Sequence, residues 1–470
     1  MAAQLAEIGG PEGAVFIPRT VNACVDDVAA RFPDRLAVKH YDADGALVGS
    51  MTFAELRKAS CQLAGALSRL FRKGANIGLW GANSLDWVVC ELAILRMGGV
   101  VVTLDPAMRS HDLRHMLDTS GAAGILMSRA FRGNDLSATL ADIRCDLPAL
   151  KEVVFIDAWR PFSEGADPLE DDPATPDDAA LIVFTSGTTG KPKGVVLHHA
   201  GCVGNARESM RRTGLSDAAP LLNPLPAYSV GGAVSITLGA LATARPQIII
   251  NHFDPGIVIA LSRIERFGWM PLVPAMLLPL VNHPGFAEAD LSALEAIWMG
   301  GTVITPENIA TARRALGVKV VTIYGQTEAC GIHAMNLPDA SDAEISRTVG
   351  LPLAHCRIRI ADLKGGETLR RGEVGEIRTR SPYATRGYFR NEQATAELYD
   401  PDGWLRTGDL GMVDDAGLLR ITGRLKEMII RGGRNIYPRE IEDVLGDFPG
   451  VAEVAVLGIP HERWGEEVAA

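Results

Sequence analysis

No run of five or more Lys or Arg residues occurs in this 470-residue chain, and its 46 Lys plus Arg are outnumbered by 57 Asp plus Glu, for a net charge of −11. A polyanion would find no basic stripe here, so nucleic acid is a poor partner. The seven cysteines (Cys24, Cys61, Cys90, Cys145, Cys202, Cys330 and Cys356) are odd in number and far apart, with no Cys-x-x-Cys pair. That argues against a disulfide framework and for a reduced, cytoplasmic chain. The first twenty residues lack a basic segment followed by a continuous apolar one, which argues against a secretory signal. The most apolar later stretches, Gly231 to Ala244 and Pro271 to Val281, fall short of the ~20 residues needed to span a bilayer and are broken by Ser, Thr, Gly or Pro. No membrane span is expected, and no internal repeat or low-complexity tract is present.

What remains is the composition of a globular protein rich in turns: 47% apolar, 22% charged, 49 Gly and 27 Pro. At about 150 residues per domain, such a length calls for more than one folding unit. Short β-rich apolar runs alternate with stretches of helical period, the pattern of βα units around buried parallel strands. Asn76 to Trp80, Ser84 to Met97 and Val100 to Leu104 form one such series. Ile248 to Ile250, a helix opened by Asp254 and Pro255 and running to about Phe267, then Met270 to Val273 form another. From Gly372 the texture changes to short alternating strands with Gly turns (GEVGEIRTR, GYFRN, DGWLRTGDLG, DDAGLLRITGR), which predicts a small antiparallel module. The expected architecture is therefore an α/β body of βα-layered subdomains with a small β module near residues 350–425, together residues 1–425. A partial α+β domain over residues 426–470 follows, with a helix at Pro438 to Leu445 and a strand at Ala452 to Leu457.

The most informative segment is Thr185-Ser-Gly-Thr-Thr-Gly-Lys-Pro-Lys-Gly194, between the apolar runs Ala180 to Phe184 and Val195 to Leu197. Its glycines let backbone approach an anion, its Ser and Thr hydroxyls donate hydrogen bonds, and Lys191 and Lys193 add positive charge. Such a composition is a cradle for polyphosphate. It is not the Walker loop, because Pro192 stands where that pattern needs Gly.

This segment resembles the signature loop of the adenylate-forming superfamily, which contains acyl-CoA synthetases, firefly luciferases and the adenylation domains of peptide synthetases. Tyr324-Gly-Gln-Thr-Glu328 is similar to that family's YGxTE element, and Thr407-Gly-Asp409 to its TGD. Gly423-Arg424-Leu-Lys-Glu427 resembles its hinge, and Arg431-Gly-Gly-Arg-Asn-Ile-Tyr-Pro-Arg-Glu440 the GGxNIxPxE segment. The resemblance covers essentially the whole chain and is nearest to the acyl-CoA synthetases. It implies a ligase that uses ATP and Mg²⁺ to convert a carboxylic acid to an acyl-adenylate and then, with coenzyme A, to a thioester.

By resemblance, Thr185, Ser186, Gly187, Thr188, Thr189, Gly190 and Lys193 wrap the β- and γ-phosphates, Thr327 binds the α-phosphate and Glu328 holds Mg²⁺. Adenine lies against Gly300 and Gly301 and stacks on Tyr324, beside Gly325. Asp409 accepts from both ribose hydroxyls, for which two carboxylate oxygens are suited, and Arg424 approaches the ribose and phosphates. Thr185, Lys193, Thr327, Glu328 and Arg424 form the implied catalytic set. Lys426 falls at the hinge, and Gly432 and Gly433 would line the coenzyme A tunnel, although a plain Gly-Gly turn fits them as well.

Pro226-Ala-Tyr-Ser-Val-Gly-Gly232 departs from the family's stretch over the carboxylate site, with Ser229 where many acyl-CoA synthetases carry His. No acid lies between Ala227 and Val230 to pair with an ammonium, so an amino-acid substrate is disfavoured. Tyr228, Ser229, Gly232, Trp298 and Cys330 are expected around the acyl group, Trp298 as wall or as core, and favour an apolar or aromatic acid. No lysine follows Lys426 in these 470 residues, where the family carries a closing lysine. The expectation is a truncated form of a longer enzyme. Two alternatives stand beside the CoA ligase: a ligase loading an acyl carrier protein, and a nucleotide-binding homologue without turnover. No motif encodes oligomeric state, and a homodimer stays open.

Overall fold

The computed structural model describes all residues except 1–3, 12–14, 186–191, 215, 217–218, 303, 432–433, 447, 449 and 452–453. They form two compact units: Gly13–Ser346 with Pro382–Ala396, and Met1–Glu12 with Arg347–Ser381 and Glu397–Ala470. No helix among the described residues is long and apolar enough to cross a membrane.

The larger unit is built on two sheets. In the first the order is Lys193–His198, Ala179–Thr185, Val100–Leu104, Asn76–Trp80, Gly124–Met127 and Glu152–Phe155. Its neighbours run parallel except for the first pair, which is antiparallel. Val100–Leu104 reads VVVTL and is buried throughout, as expected of a strand covered on both faces. The helix Leu85–Arg96 covers one face. Ser84 caps it by accepting from the Trp87 N–H, and every residue except Asp86 is buried. Arg96 resolves its buried charge against Asp26, at 2.5 Å, whereas neither Glu91 oxygen has a hydrogen-bond partner among the described residues.

The second sheet of this unit follows the order Gly331–Met335, Lys319–Gln326, Ala296–Met299, Trp269–Pro271, Leu221–Asn223, Gln247–Ile250, Leu36–Tyr41 and Leu47–Thr52. Its inner pairs are parallel and its two outermost pairs antiparallel. Asp254 caps the helix Pro255–Glu265 through the Ile257 N–H, as the Asp-Pro opening predicts. The expected strands Asn76–Trp80 and Val100–Leu104 appear with those bounds.

The smaller unit contains the predicted antiparallel module, a five-stranded sheet in the order Glu7–Gly9, Arg357–Ala361, Gly375–Arg380, Leu405–Val413 and Leu419–Arg424. Two features differ from the sequence reading. The first strand comes from the far N-terminus, with Glu7 opposite Arg359, a pairing that no local pattern signals. GYFRN is absent from the module: Pro382–Ala396 belongs to the larger unit, because its backbone bonds with the edge strand Lys193–His198. The Phe389 N–H donates to the Gly194 carbonyl at 2.7 Å, and the Val196 N–H to the Gly387 carbonyl at 2.9 Å. Within the module, buried Asp400 is held by Arg359 at 2.5 Å and by Arg378 at 2.9 Å.

At the 3-10 turn Leu425–Glu427 the chain leaves this sheet for a four-stranded antiparallel one, in the order Arg434–Ile436, Ile429–Arg431, Gly465–Ala469 and Leu457–His461, with the helix Pro438–Gly446. Of the expected strand at Ala452 to Leu457, residues 452–453 lie outside the described residues, and the last hairpin corrects the remainder. Pairing starts at Leu457, because the turn ending at Gly465 (φ +79°) sets His461 opposite Gly465 and leaves residues 454–456 no partner strand. Much of the apolar side chain here meets water: Ile430, Val444, Phe448, Leu457 and Ile459 are all exposed.

Candidate active site

Ala179–Thr185 and Lys193–His198 form a hairpin with Thr185 opposite Lys193. The predicted cradle between them, including Ser186, Gly187, Thr188, Thr189 and Gly190, lies outside the described residues. Its two ends are well placed, and both Thr185 and Lys193 are half-buried. The Lys193 ammonium lies 5.2 Å from the centre of the Tyr388 ring and makes no ion pair with a described residue.

The second group of predicted residues sits at the carboxyl ends of parallel strands, where α/β sheets open crevices for ligands. Met299 pairs with Thr322, so Gly300 and Gly301 emerge beside the end of Lys319–Gln326. A Cβ on Gly300 would come within 2.3 Å of the Ile323 side chain, and one on Gly325 within 2.2 Å of the Gly331 carbonyl. Only glycine fits either place. Tyr324 is buried on one side against His333, with ring centroids 5.2 Å apart and planes 31° apart. The 3-10 turn Thr327–Ala329 then carries Thr327 and Glu328, both half-buried, and Cys330 closes it with φ +59°.

Glu328 is held from two sides. Its carbonyl accepts from the Thr385 N–H at 2.8 Å, and its Oε1 accepts from the Tyr388 hydroxyl at 2.8 Å. Its other carboxylate oxygen accepts nothing from a described residue. Among the described residues, no group of three or more His, Cys, Asp or Glu could cage a metal. A single available carboxylate oxygen suits Mg²⁺, which takes one or two carboxylates and completes its shell with phosphate oxygens and water.

The expected acyl residues have mixed surroundings. Ser229 is committed locally: its hydroxyl donates to the Pro226 carbonyl at 2.8 Å and accepts from the Gly232 N–H at 3.1 Å, opening the π-helix Gly231–Leu238. A Cβ on Gly232 would meet the Pro226 carbonyl at 2.1 Å. Burial, then the hydrogen bond and charge of Asp105, push the Tyr228 hydroxyl up to about 12. Trp298 is fully buried and meets Trp269 edge to face, centroids 4.5 Å apart. Cys330 is fully buried. Two groups escaped the sequence reading as titratable sites. Burial raises the Glu91 carboxyl to about 8 and lowers the His333 imidazole to about 3, and neither ring nitrogen of His333 has a hydrogen-bond partner among the described residues. The signal for Glu91 was an acid amid apolar residues on every side of LDWVVCELAILR.

In the smaller unit Asp409 lies opposite Arg424 in the ladder, and the Arg424 Nε approaches Asp409 Oδ1 at 3.3 Å. Asp409 is largely shielded while Arg424 is more than half exposed. The Asp409 N–H donates to Thr407 Oγ1, whose hydroxyl donates to the Ile377 carbonyl at 2.6 Å. Lys426 stands exposed in the turn between the two sheets. Gly432 and Gly433 lie outside the described residues.

Residues 25–389 match the AMP-binding enzyme family, and residues 440–470 match the AMP-binding enzyme C-terminal domain. A propanoyl:CoA ligase of Mycobacterium tuberculosis, whose acyl group carries a methyl-dioxo-octahydroindenyl ring system, is 35% identical over 95% of this chain and 87% of that protein. The mitochondrial medium-chain acyl-CoA ligase ACSF2 of Mus musculus is 31% identical over 99% of this chain and 81% of its own. Among solved structures, ATP-bound MatB from Rhodopseudomonas palustris superposes with a TM-score of 0.85 at 26% identity, covering 96% of this chain and 88% of that one. The o-succinylbenzoate CoA synthetase of Bacillus subtilis, holding its acyl-adenylate, superposes with a TM-score of 0.81 at 27% identity, over 95% and 87%.

Proposed function

From the premise that this chain belongs to the AMP-binding enzyme family and is an ATP-dependent, AMP-forming acid:CoA ligase, we propose that its acid is apolar or aromatic and that the residues assembled around Glu328 and Lys193 carry adenylation. One observation supports the assignment most strongly. Lys193, a cation with no ion pair among the described residues, lies 5.2 Å from the centre of the Tyr388 ring, and Glu328, a carboxylate with one oxygen available, accepts from the hydroxyl of the same tyrosine. Such charges cost solvation unless a ligand of the right pattern completes them, and a polyphosphate with a divalent cation does.

In this reading the acid and ATP, with Mg²⁺, react to acyl-adenylate and pyrophosphate, and coenzyme A then displaces AMP. A bound Mg²⁺ neutralises phosphate charge. Lys193 and Thr185 bind the β- and γ-phosphates at the mouth of the cradle, Thr327 orients the α-phosphate, and Glu328 offers its available oxygen to the cation. Gly300 and Gly301 let adenine approach the backbone, and Tyr324 supplies the ring on which it stacks. Asp409 takes the ribose hydroxyls and Arg424 the ribose–phosphate edge, with Lys426 the hinge between residues 1–425 and 426–470. Tyr228, Ser229, Gly232, Trp298 and Cys330 surround the acyl group. The absence of an acid between Ala227 and Val230 and the ring-bearing and medium-chain acids of the relatives support an apolar or aromatic acid.

A panel of medium-chain, alicyclic and aromatic acids, offered with ATP, Mg²⁺ and coenzyme A and read by pyrophosphate release and thioester formation, tests this. Turnover confined to short dicarboxylates would overturn the substrate class. We place the enzyme in the cytoplasm, supported by seven cysteines that form no disulfide; recovery in an isolated organelle fraction would refute this.

A further inference from the structure

We propose that Tyr388 is a positioning residue for the metal and phosphate end of the site, holding Glu328 and Lys193 in one geometry before nucleotide arrives. The inference rests on the reading of Glu328 and Lys193 above. Tyr388 belongs to GYFRN, far along the chain from both partners, yet it meets both: its hydroxyl donates to Glu328 Oε1 at 2.8 Å, and its ring lies 5.2 Å from the Lys193 ammonium.

The segment carrying it is fixed strongly enough to act as a template. The Tyr388 N–H donates to Thr395 Oγ1 at 2.9 Å, and the next residue, Phe389, donates to the Gly194 carbonyl at 2.7 Å. The Thr385 N–H holds the Glu328 carbonyl at 2.8 Å, while the Thr385 hydroxyl reaches the Val196 carbonyl at 2.5 Å. Gly387, at φ +125°, has no room for a side chain, since a Cβ would lie 2.3 Å from Thr395. One strap therefore binds the exit strand of the phosphate hairpin and the turn of the metal carboxylate.

A glutamate has three side-chain torsions, and a lone one in a half-exposed turn would spread over many rotamers. By engaging Oε1, the Tyr388 hydroxyl leaves Oε2 as the oxygen presented to a cation. The electron-rich face of the same ring restricts the lysine ammonium, which has no carboxylate to fix it among the described residues. A supporting hydroxyl of this kind tunes affinity without touching substrate.

Tyr388→Phe keeps the ring and its lysine contact and removes only the hydroxyl. Binding of Mn²⁺ in the presence of a non-hydrolysable ATP analogue, followed by electron paramagnetic resonance, reads the site without turnover. Losing a hydrogen bond to a charged group weakens Mn²⁺ binding about tenfold in Tyr388→Phe, with KM for the acid and the melting temperature unchanged. Glu328→Gln weakens it further, and adding Tyr388→Phe to Glu328→Gln brings no additional loss, because the hydroxyl acts through that carboxylate. Wild-type Mn²⁺ affinity in Tyr388→Phe beside a clear loss in Glu328→Gln overturns the positioning role alone. Wild-type affinity in Glu328→Gln overturns the metal assignment and the positioning role with it.

Discussion

The body around Leu85–Arg96 and the sheet that follows Glu427 handle the same kinds of residue in opposite ways. In the helix Leu85–Arg96 every leucine, valine and tryptophan is buried, and even a glutamate with no hydrogen-bond partner among the described residues is carried inside. In the four-stranded sheet, Ile430, Leu457 and Ile459 face water. The lesson is one of rigidity. A site that must hold unsatisfied charges in place needs deep packing beneath it, and the strand bearing Lys193 and the strand leading into the turn of Glu328 have it.

The contrast is broken most directly with one substitution made twice. Leu95→Ala, at a fully buried position, should cost about 2–5 kcal/mol, while Leu457→Ala, at 61% exposure, should stay within about 0.5 kcal/mol. Calorimetric unfolding of both variants decides it, and equal losses would erase the distinction. Next in size, Glu328→Gln should slow pyrophosphate release by roughly 10² to 10³ with an unchanged melting temperature. A lowered melting temperature instead would make Glu328 part of the packing rather than of the chemistry.

Burial also writes a pH signature into the body. Between the ordinary glutamate value of 4.5 and about 8, folded Glu91 keeps a proton that the unfolded chain has released, so its contribution to stability falls as pH rises through that window. Glu91→Gln should flatten this limb by on the order of 3 kcal/mol at pH 7. His333 acts at the other end: between 6.5 and about 3 the unfolded chain gains a proton that the folded imidazole refuses, and stability is lost as pH falls. Denaturant titrations at several pH values measure both. The smallest effect concerns Ser229→Ala, which should cost about 1 kcal/mol through its lost cap of Gly232. It should shift acid preference while ATP affinity holds, and an equal loss of ATP binding would place Ser229 in the nucleotide site.

Sequence made legible what is local. The strand Val100–Leu104 and the Asp254 cap follow from short patterns of burial and hydrogen bonding. The composition of TSGTTGKPKG points to a polyphosphate cradle, whereas metal and ribose roles for YGQTE and TGD are implied only by their resemblance to family motifs. Hidden were the pairings between distant segments. Nothing in GYFRN tells that Tyr388 leaves the antiparallel module for Glu328, because an alternating run with a leading glycine reads the same whichever edge it joins. Nor could EIG at residues 7–9 declare its partner. The shifted titrations of Glu91 and His333 stayed hidden because burial depends on every neighbour at once.

The chain passes between its two units after Glu12, Ser346, Ser381 and Ala396, and Glu7 pairs with Arg359. On the ribosome, the first strand therefore waits for a partner made some 350 residues later, roughly twenty seconds to a minute at ordinary elongation rates. The body's two sheets have their last strand, Gly331–Met335, in hand before Arg357–Ala361 is made. Synthesis thus orders assembly: the two sheets of the body can form first, and the N-terminal strand is placed only when the antiparallel module emerges.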